Sequence, residues 1–146
     1  MDEFSQELII AQIELMLSYV NRIYKRQFIT RKVANNDILE KTESILDDYL
    51  NWKTLHLGVP TVQYLSDQLH ISPGYLSDLL RSLIGKNTKQ YIHEKLIEKA
   101  KERLTNTELT VSEIAYELGF EHAQSLSKLF KIKTDMSPLE FRNSFH

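Results

Sequence analysis

The chain carries one pattern twice. Thr61-Val62-x-x-Leu65-Ser66-x-x-Leu69-His70-Ile71 returns 49 residues later as Thr110-Val111-x-x-Ile114-Ala115-x-x-Leu118-Gly119-Phe120. Leu76-Ser77-Asp78-Leu79-Leu80-Arg81 returns 50 residues later as Leu126-Ser127-Lys128-Leu129-Phe130-Lys131, the extra turn residue being Glu121. The tails echo as well, with Tyr91 fifty positions before Phe141. One duplicated supersecondary unit accounts for all of this, so the fold must be one that a unit of this size can build twice.

Each copy reads as a short helix, a tight turn and a second short helix. In the later copy Gly119 can take the positive φ that ends the first helix. Ala115 allows two crossing helices to approach closely. Val111, Ile114, Leu118, Phe120, Leu126, Leu129 and Phe130 supply a small shared core. In the earlier copy Ser72-Pro73 is a strong helix start, a hydroxyl cap followed by proline at the first helical position. This is the helix-turn-helix pattern, whose second helix reads the major groove of DNA.

Between the copies, Thr88 to about Leu104 reads as one long helix with Tyr91, Ile92, Leu96, Ile97, Ala100 and Leu104 on its apolar face. Such a helix is ~25 Å long and would hold two reading helices apart. The same face of B-DNA returns after ~34 Å, so the two would enter successive major-groove segments of one duplex.

Ahead of the repeat, Phe4 to Phe28 is strongly helical. Ile9, Ile13, Met16, Val20 and Ile23 form one stripe, widened by Leu8 and Leu15 on one side and by Ile10, Leu17 and Tyr24 on the other. The stripe is broader than one neighbour requires. It reads as a helix buried inside the domain, as half of a dimer interface, or as a docking face for a missing domain. Arg22, Lys25, Arg26, Arg31 and Lys32 follow as a basic cluster, either a solvated helix end or a supplementary phosphate contact. Asn35 or Asn36 would cap a second helix, with Ile38, Leu39, Thr42, Ile45, Leu46, Tyr49 and Leu50 on one face, folding back as a helical hairpin. Asn51 to Pro60 reads as the domain boundary, with Trp52 packed beneath the linker. The expected organisation is therefore all-α: a hairpin over 1–57 and a double helix-turn-helix over 58–146.

Charge speaks against nucleic acid. The net charge is −2, with seven basic against nine acidic residues in 1–57 and eleven against eleven in 58–146. A neutral module that binds DNA has to segregate its charges, because phosphate contacts supply much of the affinity. The chain has no cysteine, which removes disulfides and thiolate sites. Its five histidines (His56, His70, His93, His122, His146) lack metal-ligand spacing. No nucleophile elbow or glycine-rich phosphate loop is present. Neither a catalytic activity nor a cofactor is expected. The run Leu8 to Val20 is too polar to span a membrane and lacks a signal-cleavage site, so a cytoplasmic location is expected.

The repeat resembles the DNA-binding domain of the AraC/XylS family of bacterial transcription regulators over about residues 60–143. The most specific parts are Ile114-Ala115-x3-Gly119-Phe120, Leu129-Phe130-Lys131 and Ser137-Pro138-x3-Arg142. The resemblance implies two helix-turn-helix modules on one long helix and control of transcription initiation, with RNA polymerase as a further partner. It also implies homodimerisation through about residues 4–52, and a small-molecule effector, if any, held by a domain absent from this chain. Carried over onto this sequence, the base-facing positions are Gly74, Ser77 and Asp78 in the first reading helix, and Ala123, Gln124, Ser127 and Lys128 in the second. Gln124 suits adenine and Lys128 suits guanine. Asp78 either accepts a hydrogen bond from cytosine N4 or pairs within its own helix with Arg81 or Ser82. Phosphate candidates are Arg81, Lys86, Thr88, Lys89, Lys131, Lys133 and Arg142, with the N–H groups near Thr88. Departures from the family pattern are Leu126 in place of an aromatic, Asp135 near the usual glycine, Lys95 in place of arginine, and His122 at the cap of the second reading helix. The rival reading is a helical protein-interaction module that no longer binds DNA.

Overall fold

The structure, a computed structural model, describes residues 3–145, except for the side chains at 27–32. Arg31 and Lys32 of the basic cluster, and His146, lie outside that set. Helix α1 (Glu3–Trp52) is followed by the short α2 (Thr54–Leu57), then α3 (Val62–Leu69), α4 (Pro73–Ile84), α5 (Thr88–Asn106), α6 (Val111–Glu117), α7 (Ala123–Thr134) and α8 (Pro138–Asn143). No strand occurs among the described residues. No described helix is long and apolar enough to cross a membrane.

The expected hairpin is not formed, because α1 runs unbroken from Glu3 to Trp52. No glycine precedes Gly58 and no proline precedes Pro60. Asn35-Asn36 costs only about 0.7 kcal/mol per residue in a helix interior, too little to break it. The apolar face assigned to the second helix exists nonetheless. Thr42, Leu46, Tyr49 and Leu50 are buried, but against the repeat rather than against the N-terminal stripe. The chain accordingly divides between Ile38 and Leu39, well before the expected boundary at residue 58.

In the first unit the apolar stripe stands in solvent, with Ile13, Met16, Val20 and Ile23 all more than half exposed.

In the second unit the repeat is reproduced down to its hydrogen bonds. The Thr61 hydroxyl accepts from Tyr64 N–H and the Thr110 hydroxyl from Glu113 N–H, each at 3.1 Å. The turns close alike, Ile71 N–H donating to Ser66 O at 3.2 Å and Phe120 N–H to Ala115 O at 3.0 Å. Gly85 and Asp135 both take a left-handed conformation at the ends of α4 and α7; aspartate is among the residues that tolerate it. The helices α5, α6, α7 and α8 enclose a core of Leu96, Ala100, Leu104, Ile114, Leu126 and Phe130, to which α1 adds Leu46 and Leu50. Val111, Phe120 and Leu129 pack against it partly buried.

The end of α1 touches both copies. Tyr49 meets Tyr64 of α3 edge to face at 4.8 Å, and Lys53 Nζ lies 2.8 Å from the Tyr64 hydroxyl. Thr54 Oγ1 donates to Glu117 O of α6 at 2.5 Å, while Tyr49 OH donates to Gly58 O at 2.9 Å. Gly58 abuts Gly119 so closely that a Cβ on Gly119 would lie 2.4 Å from the Gly58 carbonyl carbon. Gly119 is thus required twice, for φ +92 and for this approach. Trp52 is 78 % exposed rather than packed beneath the linker.

Candidate nucleic-acid interface

Helices α4 and α7 are the second helices of the two copies. Each turns one apolar face inward, Leu76 and Leu80 in α4 and Leu126 and Phe130 in α7. Gly74 and Gln124 are exposed, Ser77 and Ser127 half-buried, Asp78 and Lys128 exposed. Six of the seven base-facing positions therefore form three equivalent pairs of matching exposure. The seventh, Ala123, is half-buried in the first turn of α7. The local causes are the same in both helices, a leucine at one position and a large apolar residue four later fixing which side faces the core.

The helix starts differ. Ser72 Oγ accepts from Tyr75 N–H at 3.1 Å, with Pro73 in the first turn. His122 makes no side-chain cap bond to α7, which leaves first-turn N–H groups there without that partner. Tyr75, about half exposed in the first turn of α4, is an aromatic at the reading end that the residue-by-residue carry-over passed over. Its neighbour Leu76, buried, is the signal that α4 rotates Tyr75 toward the rim.

The two copies are not equal in charge. In the first, Asp78 and Arg81 stand 3.6 Å apart, both largely exposed, and Lys86 bonds to Glu94. Lys95, Lys99 and Arg103 are likewise paired, with Glu98, Glu102 and Glu117. Among the described residues Lys89, Lys128, Lys131 and Lys133 have no ion pair. Three of these four are on α7. A chain of net charge −2 thus presents unneutralised cations on one reading helix, which is the segregation that its composition demanded.

Two phosphate candidates are occupied otherwise. The Thr88 side chain is buried and its hydroxyl lacks a partner, so only the backbone at the start of α5 is on offer. There Asn87 and Gln90 form a capping box that takes the Gln90 N–H, and the N–H groups of Thr88 and Lys89 are left over. Arg142 donates through Nε to Leu104 O at 2.9 Å and through a terminal nitrogen to Thr107 O at 3.3 Å. It ties α8 to the end of α5.

A family model described as "Helix-turn-helix domain" matches residues 65–144, over half of the chain. Among curated proteins, the uncharacterized HTH-type transcriptional regulator YijO of Escherichia coli is 31% identical over 68% of this chain and 34% of its own length. YfiF of Bacillus subtilis, described in the same words, is 28% identical over 99% of this chain and 43% of its own length. The chain thus spans about a third to under half of these relatives. Among solved structures, the C-terminal domain of the two-component response regulator yesN from Fusobacterium nucleatum matches with TM-score 0.58 and 29% identity over 70% of this chain and 98% of that one. The DNA-binding domain of AdpA, solved with a target DNA, shares the fold at TM-score 0.57 and 24% identity, over 68% of this chain and 91% of that one. With a duplicated helix-turn-helix on one long helix, and a family model over most of that duplication, the chain belongs to the AraC-type family of helix-turn-helix transcriptional regulators.

Proposed function

We propose that this chain binds double-stranded DNA sequence-specifically and regulates transcription initiation, with α4 and α7 reading successive major-groove segments. The observation that carries this reading is the matching exposure of the two reading helices together with the unpaired lysines of α7. On this reading Gln124 and Lys128 select bases and Lys131 and Lys89 hold phosphates. Specificity leans on the second copy, since the first presents Gly74 and a paired Asp78 at the equivalent places. Regulation of initiation makes RNA polymerase a second partner, and an effector would be taken up by a part of the protein outside these two modules. Titration of duplex binding against salt tests the reading. It expects log K to fall with a slope of about −0.9 per phosphate contacted, and absence of binding at low salt would refute it.

The exposed stripe of the first unit supports homodimerisation through residues 4–38. A contiguous apolar face of this breadth marks an interaction surface, and its spacing of three and four suits a second copy of the same helix. Sedimentation of the full chain would show a dimer that Ile13→Lys with Val20→Lys converts to monomer. A monomeric wild-type chain at tens of micromolar would reject the dimer and leave the DNA reading intact.

A further inference from the structure

His93 lies on α5, one turn after Lys89, and a residue pair at this spacing shares a helix face. α7 packs on α5, and the charge of Lys133, in the last turn of α7, acts on the imidazole together with that of Lys89. The imidazole is half-buried. From α5 and α7 the charged groups facing it are these two lysines, and no charged group of α3, α4, α6 or α8 acts on it. Its sequence neighbour Glu94 is engaged by Lys86. Neither Lys89 nor Lys133 has an ion pair among the described residues. Cationic groups gathered without a counter-charge repel one another, and an anion relieves that repulsion.

We propose that Lys89, His93 and Lys133 form a phosphodiester clamp between the two modules, in which His93 takes up a proton as the DNA backbone enters. The clamp rests on the DNA-binding reading. Burial first, then Lys133 and Lys89, hold the imidazole below its ordinary pKa, so in free protein at neutral pH it is mostly uncharged. A phosphate offsets the two lysines and favours the imidazolium. The sign follows: binding tightens as pH falls toward 6 and rests on the lysines alone at pH 8.

The test is duplex binding by the full chain at pH 6 and pH 8, each over a range of salt, for the wild type, His93→Gln and His93→Lys. Wild type is expected to bind about three- to tenfold tighter at pH 6, with a log K against log salt slope steeper by up to ~0.9, one added phosphate contact. His93→Gln should lose that difference while keeping the pH 8 affinity. His93→Lys should show the steeper slope at both pH values. The His93 ring resonance should titrate at a higher pH once duplex is added, a readout that a purely structural role would not move. His70 and His122 remain in all three proteins, so any pH dependence they cause survives in His93→Gln. Full retention of the pH effect in that variant, or equal slopes for wild type at both pH values, overturns the clamp. Failure of wild type to bind at either pH would instead overturn the DNA reading on which it rests.

Discussion

Gly119 and Gly85 close equivalent kinds of turn, and alanine at the two positions should have very different costs. Both glycines have positive φ, +92 and +73. An L-residue there loses about 1–2 kcal/mol, offset by roughly 0.4–1 kcal/mol through the stiffer unfolded chain. At Gly85 nothing lies within 4 Å of the added Cβ, so Gly85→Ala should cost about 1 kcal/mol and no more. At Gly119 the Cβ would meet Gly58 C at 2.4 Å, Gly58 O at 2.6 Å and Val59 N at 2.7 Å. All three are backbone atoms, which cannot swing aside as a side chain would. The 58–59 segment has to lift, at about 1–3 kcal/mol for overpacking. The hydrogen bonds of Thr54 to Glu117 and of Tyr49 to Gly58 loosen with it, at ~1 kcal/mol each. Gly119→Ala should therefore cost about 3–5 kcal/mol. Urea unfolding followed by circular dichroism gives both values. Asparagine separates the causes, because it tolerates the left-handed region. Gly85→Asn should recover most of the loss at 85, whereas Gly119→Asn should recover little. Equal costs for the two alanines, or rescue by asparagine at 119, would refute the steric argument.

Other expectations follow from single residues. Arg142→Met should destabilise the chain by about 2–3 kcal/mol, the scale of hydrogen bonds from a charged donor, and leave the salt slope of DNA binding unchanged; a slope shallower by about 1 with stability intact would make Arg142 a phosphate contact instead. The Tyr91 hydroxyl is buried without a partner, and its ionisation is pushed upward by burial, then by Glu43, Asp47 and Glu98. Tyr91→Phe should accordingly match or exceed the wild type by up to about 1 kcal/mol, and a loss of more than 1 kcal/mol in a denaturant melt would show that the hydroxyl is bonded. Asp78→Asn, screened against a library of duplexes, should relax the preference at one base pair by about 1–3 kcal/mol. Uniformly tighter binding with unchanged preference would reduce Asp78 to the neutraliser of Arg81.

Much of the second unit was legible because its determinants are local. Thr61, Ser72, Thr110 and Ser137 each precede a helix and each caps it. The repeat aligned the inward faces of α4 and α7 before any packing was known. What could not be read from spacing depends on partners distant in the chain. The apolar face of Leu46, Tyr49 and Leu50 was plain, but not that it would pack on the repeat while α1 continued unbroken. Gly119 announced its φ, yet its second constraint comes from Gly58, a residue 61 positions earlier. The lysines of α7 looked like those of any solvated helix. Only the pairing of Arg81, Lys86 and Arg103 elsewhere sets them apart, and pairing between helices leaves no trace in composition. Arg142 matched a family motif and was assigned to phosphate, whereas the carbonyls that hold it lie at the end of α5.

The end of α1 bonds to α3 through Tyr49 and Lys53 and to α6 through Thr54 and Gly58. Two reading heads strung on a rod could each follow its own segment of duplex, but heads sharing a keystone keep one helical phase. Each base pair inserted between their half-sites turns one half-site by about 35° and moves it ~3.4 Å along the axis. Loosely tethered heads would lose binding on a half-turn insertion and regain it on a full turn of about ten base pairs. Heads fixed through Tyr49 to Gly58 regain nothing, so for this protein the number of base pairs between half-sites is as much a part of the operator as the bases themselves.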